Sequence, residues 1–293
     1  MLKTTARWLH RFLVSALILS GLAFAVVVLG LRYWVLPNIA DYRESIASSI
    51  SQAAGQRVTI GLIDAGWDGL RPHLNMRGVD VYDPAGNLAL HLDHIEGTLA
   101  WWNLALGEIR LHSLEIDRPD LALRRTAKGE IYVGGVWVNE PGSESGFADW
   151  LLRQHRIIVR GATLTWQDEL RQAPVLALSQ LDLRLENRWH RHRFGLRAVP
   201  PPSLALPIDL RGDLKGKNLG DLAGWSGTLY TRRDYTDVGQ WRSWVDLPFQ
   251  LERGNGGVQV WLGLDGRTLK SLTADVKLRN VLARLRPDLQ QLD

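Results

Sequence analysis

Two pairs of histidines are the first candidates for chemistry, because the neutral imidazole ring is the commonest metal ligand in proteins. His91 and His94 flank Asp93. On a β-strand, residues three apart point to opposite faces, so we do not expect this pair to share an ion. His190 and His192 would share a face, but the neighbouring arginines would repel a cation. We predict no cofactor, and we expect the second pair at a solvated hairpin tip, with anionic lipid headgroups as a functional alternative.

Paired carboxylates are the next candidates, since glycoside hydrolysis uses two carboxyl groups across one bond. Asp64 and Asp68 stand on either side of Trp67. Asp beside Gly more often forms a turn, and this is the meaning we favour. Ser113 and Ser179 lack the G-x-S-x-G context of a nucleophile, and no phosphate-binding glycine loop is present in the sequence. We therefore expect a protein that is not an enzyme, with a glycan hydrolase as the weakest alternative.

Composition removes further classes of function. The 293 residues include no cysteine, which excludes a thiol nucleophile, disulfides and Cys-ligated metals. The net charge of +4 is small, and the charged residues are interspersed, so the sequence predicts solvated faces and no nucleic-acid partner. Thirteen Trp against five Phe favours boundaries between apolar and wet surroundings.

The element that must position the rest is an apolar run over residues 12–31. It contains twenty residues without a charged side chain, bounded by Arg11 and Arg32. At about 1.5 Å per residue, a helix of this length spans the roughly 30 Å hydrocarbon core of a bilayer. With the interfacial rings of Tyr33 and Trp34, it predicts a transmembrane anchor over residues 12–35. A cleaved signal peptide would usually have a shorter run and a clear cleavage site, and a buried soluble helix is rarely apolar on every face.

The basic residues on the two sides of the run indicate its orientation. Lys3, Arg7 and Arg11 precede it, whereas Arg32 and Arg43 follow it. The positive-inside rule therefore favours a cytoplasmic N-terminus over residues 1–11, and the body from about residue 36 onward on the other side of the membrane.

Beyond the anchor, the spacing of apolar residues predicts one amphipathic helix and then many strands. Ile39, Tyr42, Ile46 and Ile50 recur at intervals of three and four, and Gly55 fits a helix C-terminus. We expect this helix to dock on the first sheet, because its polar face is rich in Ser and not basic, as a helix lying at the membrane surface would be. From residue 57 to about 282 the apolar residues alternate, with Gly-rich turns between the runs, which predicts an antiparallel sheet with one apolar face.

Interruptions of this alternation are also informative. A change of phase near His112 and Ser113 predicts a bulge or a bend. Short helices are predicted over residues 147–154 and 236–246, with Thr236 as a cap. The Pro-Gly-Ser segment 141–146 is the best internal boundary, dividing a first segment over 36–140 from a second over 141–293. No closing strand follows the last alternating run, so we expect either a protein partner at this open sheet edge or a chain shorter than its relatives.

Several segments, in this order, carry a resemblance to a known family: residues 58–67 and 77–83, then 114–121, 129–135, 159–166 and 192–196. Together with the anchor and the helix after it, they resemble the N-terminal part of the YhdP family of AsmA-like proteins. The resemblance implies an inner-membrane anchor in a Gram-negative envelope, a periplasmic body, and a long, twisted, groove-like antiparallel β-sheet. It also implies phospholipid transport between the inner and outer membranes.

On this interpretation, phospholipid acyl chains are the partner, and alternating apolar residues line the groove. The candidates are Leu88, Leu90, Leu92, Ile109, Leu111, Leu121, Leu123, Leu206, Ile208, Leu210, Leu272, Val276 and Leu278. The pattern alone fits equally a sandwich whose apolar faces close on each other as a core. An envelope scaffold for outer-membrane protein biogenesis, similar to the TamB-type proteins, is the functional alternative.

Overall fold

The computed structural model describes residues 2–69, 71–83, 85–100, 111–137, 147–204, 207–217, 221–237, 243–244, 250–266 and 268–284. Three α-helices are described: α1 (Leu2–Gly30), α2 (Arg43–Ala54) and α3 (Phe147–Arg153). The strands are β1 (Val58–Asp68), β2 (Arg71–Tyr82), β3 (Leu88–Leu99), β4 (Leu111–Asp117), β5 (Asp120–Arg125), β6 (Ile131–Val133), β7 (Val136–Trp137), β8 (Arg156–Asp168), β9 (Leu176–Arg188), β10 (Arg191–Val199), β11 (Ile208–Lys215), β12 (Ser226–Asp237), β13 (Gln250–Asp265) and β14 (Thr268–Arg284).

The N-terminal helix lies apart from the β-sheet. Among the described residues, one helical stretch, His10–Ala54, is long and apolar enough to cross a membrane, and the large apolar side chains of its part within α1 are exposed. Shorter helical turns over Leu31–Val35 and Leu36–Tyr42 join it to α2. Leu36 and Ile39 are buried in the core, and the Arg32 guanidinium lies 5.6 Å from the centre of the Trp67 ring. The helix therefore leaves the body at the end of β1.

The predicted amphipathic helix is present and docks on the sheet as expected. Gly55 ends α2 in the left-handed conformation, with φ at +67°. Ile46 and Ile50 pack against the buried apolar cluster of the sheet. The Ser51 hydroxyl accepts a hydrogen bond of 2.9 Å from the Val58 N–H, which ties the helix to β1. Glu44, Ser48 and Gln52 of α2 are exposed on the other side of the helix.

The strands form one sheet in the order β1-β2-β3-β4-β8-β9-β10-β11-β12-β13-β14, so the predicted long, open and mostly antiparallel sheet is confirmed. The exception is β8, which runs parallel to both β4 and β5. After β4, the chain passes through β5, the short strands β6 and β7, and α3 before β8 returns beside β4. Alternating apolar and polar residues occur in parallel and in antiparallel strands alike. The sequence of β4 and β8 therefore did not predict their parallel pairing.

Along each of several neighbouring strands, the alternation of buried and exposed residues is interrupted once, and the interruptions lie side by side in the sheet. Buried residues there are three apart and not two, and both members of each pair belong to one apolar cluster: Ile60 and Ile63, Met76 and Val79, Leu92 and Ile95, Val159 and Ala162, Leu178 and Leu181. In three of these pairs a residue between the two members takes a positive φ: Gly78 at +60°, Gly161 at +61° and Gln180 at +49°. Kinks and bulges of this kind bend a sheet, and here they keep one face apolar on both sides of the bend.

The predicted change of phase in β4 is confirmed, because Thr98 pairs with Ser113 whereas Leu99 pairs with Leu111, which leaves His112 as an extra residue. The predicted start of a helix at Thr236 is wrong, since Thr236 pairs with Gly256 in the β12–β13 ladder. Most of the predicted segment 236–246 lies outside the described residues. The proposed boundary over residues 141–146 lies outside the described residues.

The strain at the bend can be tested by substituting Gly78. Its positive φ disfavours a side chain, while a Cβ atom would meet nothing closer than the Gly61 Cα at 4.0 Å. We expect Gly78→Ala to lower the free energy of unfolding by about 1 kcal/mol through backbone strain alone. Urea unfolding of the full chain in detergent, followed by Trp fluorescence, measures this.

The matched control is Gly195→Ala in β10, where a Cβ atom would have open space and φ is not positive. We expect its stability to stay within about 0.5 kcal/mol of the original or to rise. Equal losses in the two variants would show that the bend does not depend on Gly78.

Candidate functional site

One apolar face extends across the whole sheet. Directly paired residues on neighbouring strands lie on the same face, so their partners can be followed from strand to strand. The series, here called the apolar row, is Ile63, Met76, Ile95, Ile116, Val159, Leu183, Leu196, Leu210, Thr231, Val260 and Ala274. Only Thr231 carries a polar group, and its hydroxyl donates a 3.0 Å hydrogen bond to the Asp209 carbonyl. At about 4.8 Å between strands, the row is roughly 50 Å long.

An apolar cavity of about 370 Å³ lies over the first part of this face. Its floor is made by side chains of β1 to β5, β8 and β9, among them Met76, Leu92 and Val159. The helices α2 and α3 cover it, and α2 contributes Ile46, Ile50 and Ala53 to its lining. Among the described residues of the lining, Ser49 is the only one with a side-chain hydroxyl. A space of this kind suits a hydrocarbon chain, because it offers almost no hydrogen-bonding partner.

The same face becomes uncovered towards β14. Val159 of the apolar row is 7% exposed, whereas Leu272 and Val276 of β14 are 45% and 46% exposed. Leu272 pairs with Leu262, and Val276 pairs with Val258, so both lie on the face of the apolar row. We call the part over β13 and β14 the uncovered end. The face is therefore covered at the side of the anchor and open to solvent at the other.

The sequence-predicted lining residues separate into three groups. Leu90, Leu92, Leu111 and Leu121 line the cavity. Leu272, Val276 and Leu278 lie on β14 at the uncovered end.

Four further predicted residues lie outside the cavity. Ile208 is buried and Leu210 is partly buried against the core, while Leu123 is half-buried opposite Trp166. Leu88 is 58% exposed at the start of β3. These four positions extend the apolar surface of the sheet without lining the cavity. Ile109 and Leu206 fall outside the described residues.

Sequence reasoning predicted the docking of α2 on the sheet but not the position of α3 over the cavity. Trp150, Leu151 and Leu152 of α3 line the cavity together with the α2 residues. The spacing of three and four in residues 39–53 carried the signal for α2, because it marks a helix face that must pack on something apolar. For α3 the run of apolar residues is too short to show which face it buries.

Hydrogen bonds fix the end of α3 to the sheet beneath it. Gln154 is 1% exposed, and its Oε1 accepts a 2.9 Å hydrogen bond from the Leu111 N–H of β4. The Asn187 Nδ2 of β9 donates to the Gln154 carbonyl at 2.8 Å. Both amide side chains are buried, so losing either partner would leave unsatisfied polar groups in an apolar environment. The cover is thus attached at a defined place.

His192 lies directly behind this attachment and is buried, which corrects the prediction of a solvated tip for both histidines. Its Nδ1 lies 2.7 Å from the Asn187 Oδ1, and its Nε2 lies 3.2 Å from the Gly216 carbonyl oxygen. Burial lowers the pKa of His192, and the hydrogen bond to the Gly216 carbonyl opposes this shift in part. The ring also stacks on Trp225 at 5.0 Å. His192 therefore contributes to structure beside the cover.

The first histidine pair also differs from expectation. The phase shift between Leu92 and Ile95 places His91 and His94 on the same, polar face, so the prediction of opposite faces was wrong. His91 Nδ1 lies 2.5 Å from an Asp80 carboxylate oxygen, and this hydrogen bond raises the pKa of His91. Within the described part of the chain, no group of three or more His, Cys, Asp or Glu side chains is placed to hold a metal ion.

The candidate carboxylates do not form a described pair. Asp64 lies within β1, and not in a turn as we expected. Its carboxylate is exposed and lies 4.0 Å from Arg77 on the neighbouring strand. Nothing is described for the Asp68 side chain.

Ion pairs between strands cover the face opposite the apolar row. Arg160 contacts Glu115 at 2.6 Å, and Asp213 accepts hydrogen bonds from both Arg191 and Arg193. The pairing with Arg191 holds the pKa of Asp213 below its usual value, with Arg193 adding to the effect. These pairs are largely exposed, so each contributes little to stability. Their consequence is that the two faces of the sheet differ strongly in polarity.

The burial of His192 predicts a pH dependence of stability. The unfolded chain binds a proton at this residue near pH 6.5, whereas the folded chain resists it, so acid favours unfolding. We expect the free energy of unfolding to fall as the pH is lowered from 7 to 5, and His192→Phe to reduce this slope. Urea unfolding at several pH values measures it.

The control for this slope is His190→Gln, because His190 is exposed in the adjoining turn. Part of the slope should persist in His192→Phe, since burial also lowers the pKa of His112. A slope that is the same in the His192 variant and in the unsubstituted chain would contradict the assignment.

A family model described as YhdP protein matches residues 1–293. No curated protein and no solved structure matches the chain.

Proposed function

Because the chain belongs to the YhdP family, within the AsmA-like group, we propose that its sheet takes part in phospholipid transport between the inner and outer membranes of a Gram-negative envelope. In this proposal, α1 anchors the protein in the inner membrane and the sheet lies in the periplasm. The apolar face receives acyl chains, while headgroups stay in solvent.

The single observation that carries the proposal is the apolar row with the cavity above it. Each methylene exposed to water costs about 0.8 kcal/mol, so an acyl chain in water costs on the order of 10 kcal/mol. A continuous apolar face of roughly 50 Å removes this cost at each step along it. The cavity volume of about 370 Å³ falls within the range of ligand pockets in proteins.

The polarity of the lining supports lipid over other cargo. A pocket for a sugar or a nucleotide would need several hydrogen-bonding groups aimed inward. Here the described polar side chains in contact with the space are few, and the ion pairs lie on the opposite face. The proposal therefore assigns binding and guidance to the sheet and includes no catalytic step.

The uncovered end supports passage along the sheet and not only storage. An enclosed cavity would hold one molecule, but the apolar row continues from β9 to β14, and Thr231 is its one polar member. Large exposed apolar surfaces on proteins mark sites of interaction. We propose that acyl chains enter beneath α2 and α3 and continue towards β14.

Photocrosslinking from two neighbouring positions tests the proposal. Ala53 and Gln52 are both exposed on α2, but only Ala53 lines the cavity. With a photoreactive amino acid at either position of the full chain in cells with labelled phospholipid, we expect several-fold more lipid adducts at residue 53. Neither substitution removes a buried side chain, so both variants should fold.

The outcome separates the alternatives. Equal lipid adducts at the two positions would mean that the cavity does not receive acyl chains. Adducts to an outer-membrane protein in place of lipid would favour the assembly scaffold.

A further inference from the structure

The two-residue turn between β9 and β10 has an unusual occupant. Arg188 pairs with Arg191, and Trp189 and His190 form the turn. The Trp189 side chain is 92% exposed, the highest exposure among the large apolar side chains for which exposure is described. Full exposure of an indole ring to water is unfavourable, because its apolar body gains nothing from solvent.

The backbone conformation at Trp189 is also unfavourable for a bulky residue. Its φ is +58°, a conformation that a bulky side chain rarely adopts. The first central position of a tight hairpin with positive φ is usually Gly, Asn or Asp. A bulky residue kept in such a conformation points to a function outside the folded structure itself.

The turn projects from the same end of the sheet as the anchor. Arg32, where the chain leaves α1, lies over Trp67 at the end of β1. Paired residues near this end connect the two places: Trp67 with Pro72, His73 with Thr98, Thr98 with Ser113, Leu114 with Ile157, and Ile157 with Leu185. The β1–β2 and β9–β10 turns therefore emerge on the same side of the sheet.

Basic residues lie near this turn in the sequence and in the strand register. Arg188 precedes it, and Lys215 pairs with Arg191 on the neighbouring strand, followed by Lys217. Arg191 is neutralised by Asp213 at 2.5 Å. In the part of the chain that the structure describes, Arg188, Lys215 and Lys217 form no ion pair. The set of Trp189, Arg188, Lys215 and Lys217 is called the Trp189 corner.

We propose that the Trp189 corner is a second membrane contact, which rests on the surface of the bilayer that holds α1. Trp and basic residues are the side chains that settle at the level of lipid headgroups. Anionic lipids attract nearby Lys and Arg residues. This electrostatic attraction falls off within a Debye length of the membrane surface. The contact would fix the orientation of the sheet on the membrane at a second place, in addition to the helical turns that join α1 to the body. It is independent of whether the cavity receives lipid.

Fluorescence quenching in vesicles tests the proposal. Because the sequence has no cysteine, single cysteines at His190 or Leu170 can be labelled with an environment-sensitive dye. Leu170 is 52% exposed and lies in the β8–β9 turn, at the opposite end of the sheet. The full chain is reconstituted into vesicles of phosphatidylethanolamine and phosphatidylglycerol that contain a nitroxide lipid. We expect quenching at residue 190 to be roughly threefold stronger than at residue 170, as interfacial Trp and Arg anchors imply.

A second variant separates membrane contact from folding. Trp189→Gly relieves the positive φ, so its melting temperature should equal or exceed that of the unsubstituted chain. In this background, quenching at residue 190 should fall to the level at residue 170. Equal quenching at the two positions in the unsubstituted chain would overturn the proposal. It would also be overturned if Trp189→Gly left quenching unchanged, or if it lowered the melting temperature and so showed a packing role.

Discussion

The structure depends on one constraint: the apolar face of the sheet is wider than the described elements that cover it. Burial of apolar surface is the main stabilising term in folding. A sheet normally buries its apolar face by packing a second layer of secondary structure over the whole of it. Here α2 and α3 lie over the strands nearest the anchor, and Leu272 and Val276 of β14 remain nearly half exposed. A sandwich core, which the alternating pattern equally permits, would have buried both ends. In the proposed function, the incomplete cover is the feature that lets the apolar face receive acyl chains.

Two devices keep the covered part from collapsing onto the sheet. The line of phase shifts bends several strands at one level, so the strands turn while their apolar residues stay on one face. The buried amides of Gln154 and Asn187 fix the end of α3 at a set position above β4 and β9. Together they hold the helices at a distance that leaves a cavity. Ion pairs on the opposite face maintain its polarity without contributing much stability.

Alternation and helical spacing predicted the elements well, because burial on one side imposes periods of 2 and 3.6 directly on the sequence. The α2 helix, the bulge in β4 and four of the cavity-lining leucines followed from those periods. The predictions for the histidines were wrong because each was made from a few residues without the strand around them. His91 and His94 share a face because the phase changes between them, and His192 is buried because its strand continues past the turn. The parallel pairing of β8 and the cover by α3 depend on contacts distant in sequence, which periodicity does not encode.

The central claim is that acyl chains contact the apolar face and not the polar one. The most direct test is nuclear magnetic resonance of the full chain in lipid nanodiscs, with isotope-labelled Leu and Val methyl groups. Leu92 in the cavity and Val276 at the uncovered end lie on the apolar face, while Leu62 is equally apolar but exposed on the other side of β1. We predict nuclear Overhauser effects between lipid methylene protons and the methyl groups of Leu92 and Val276, and none at Leu62. Effects of the same strength at all three residues, or at none of them, would contradict the account.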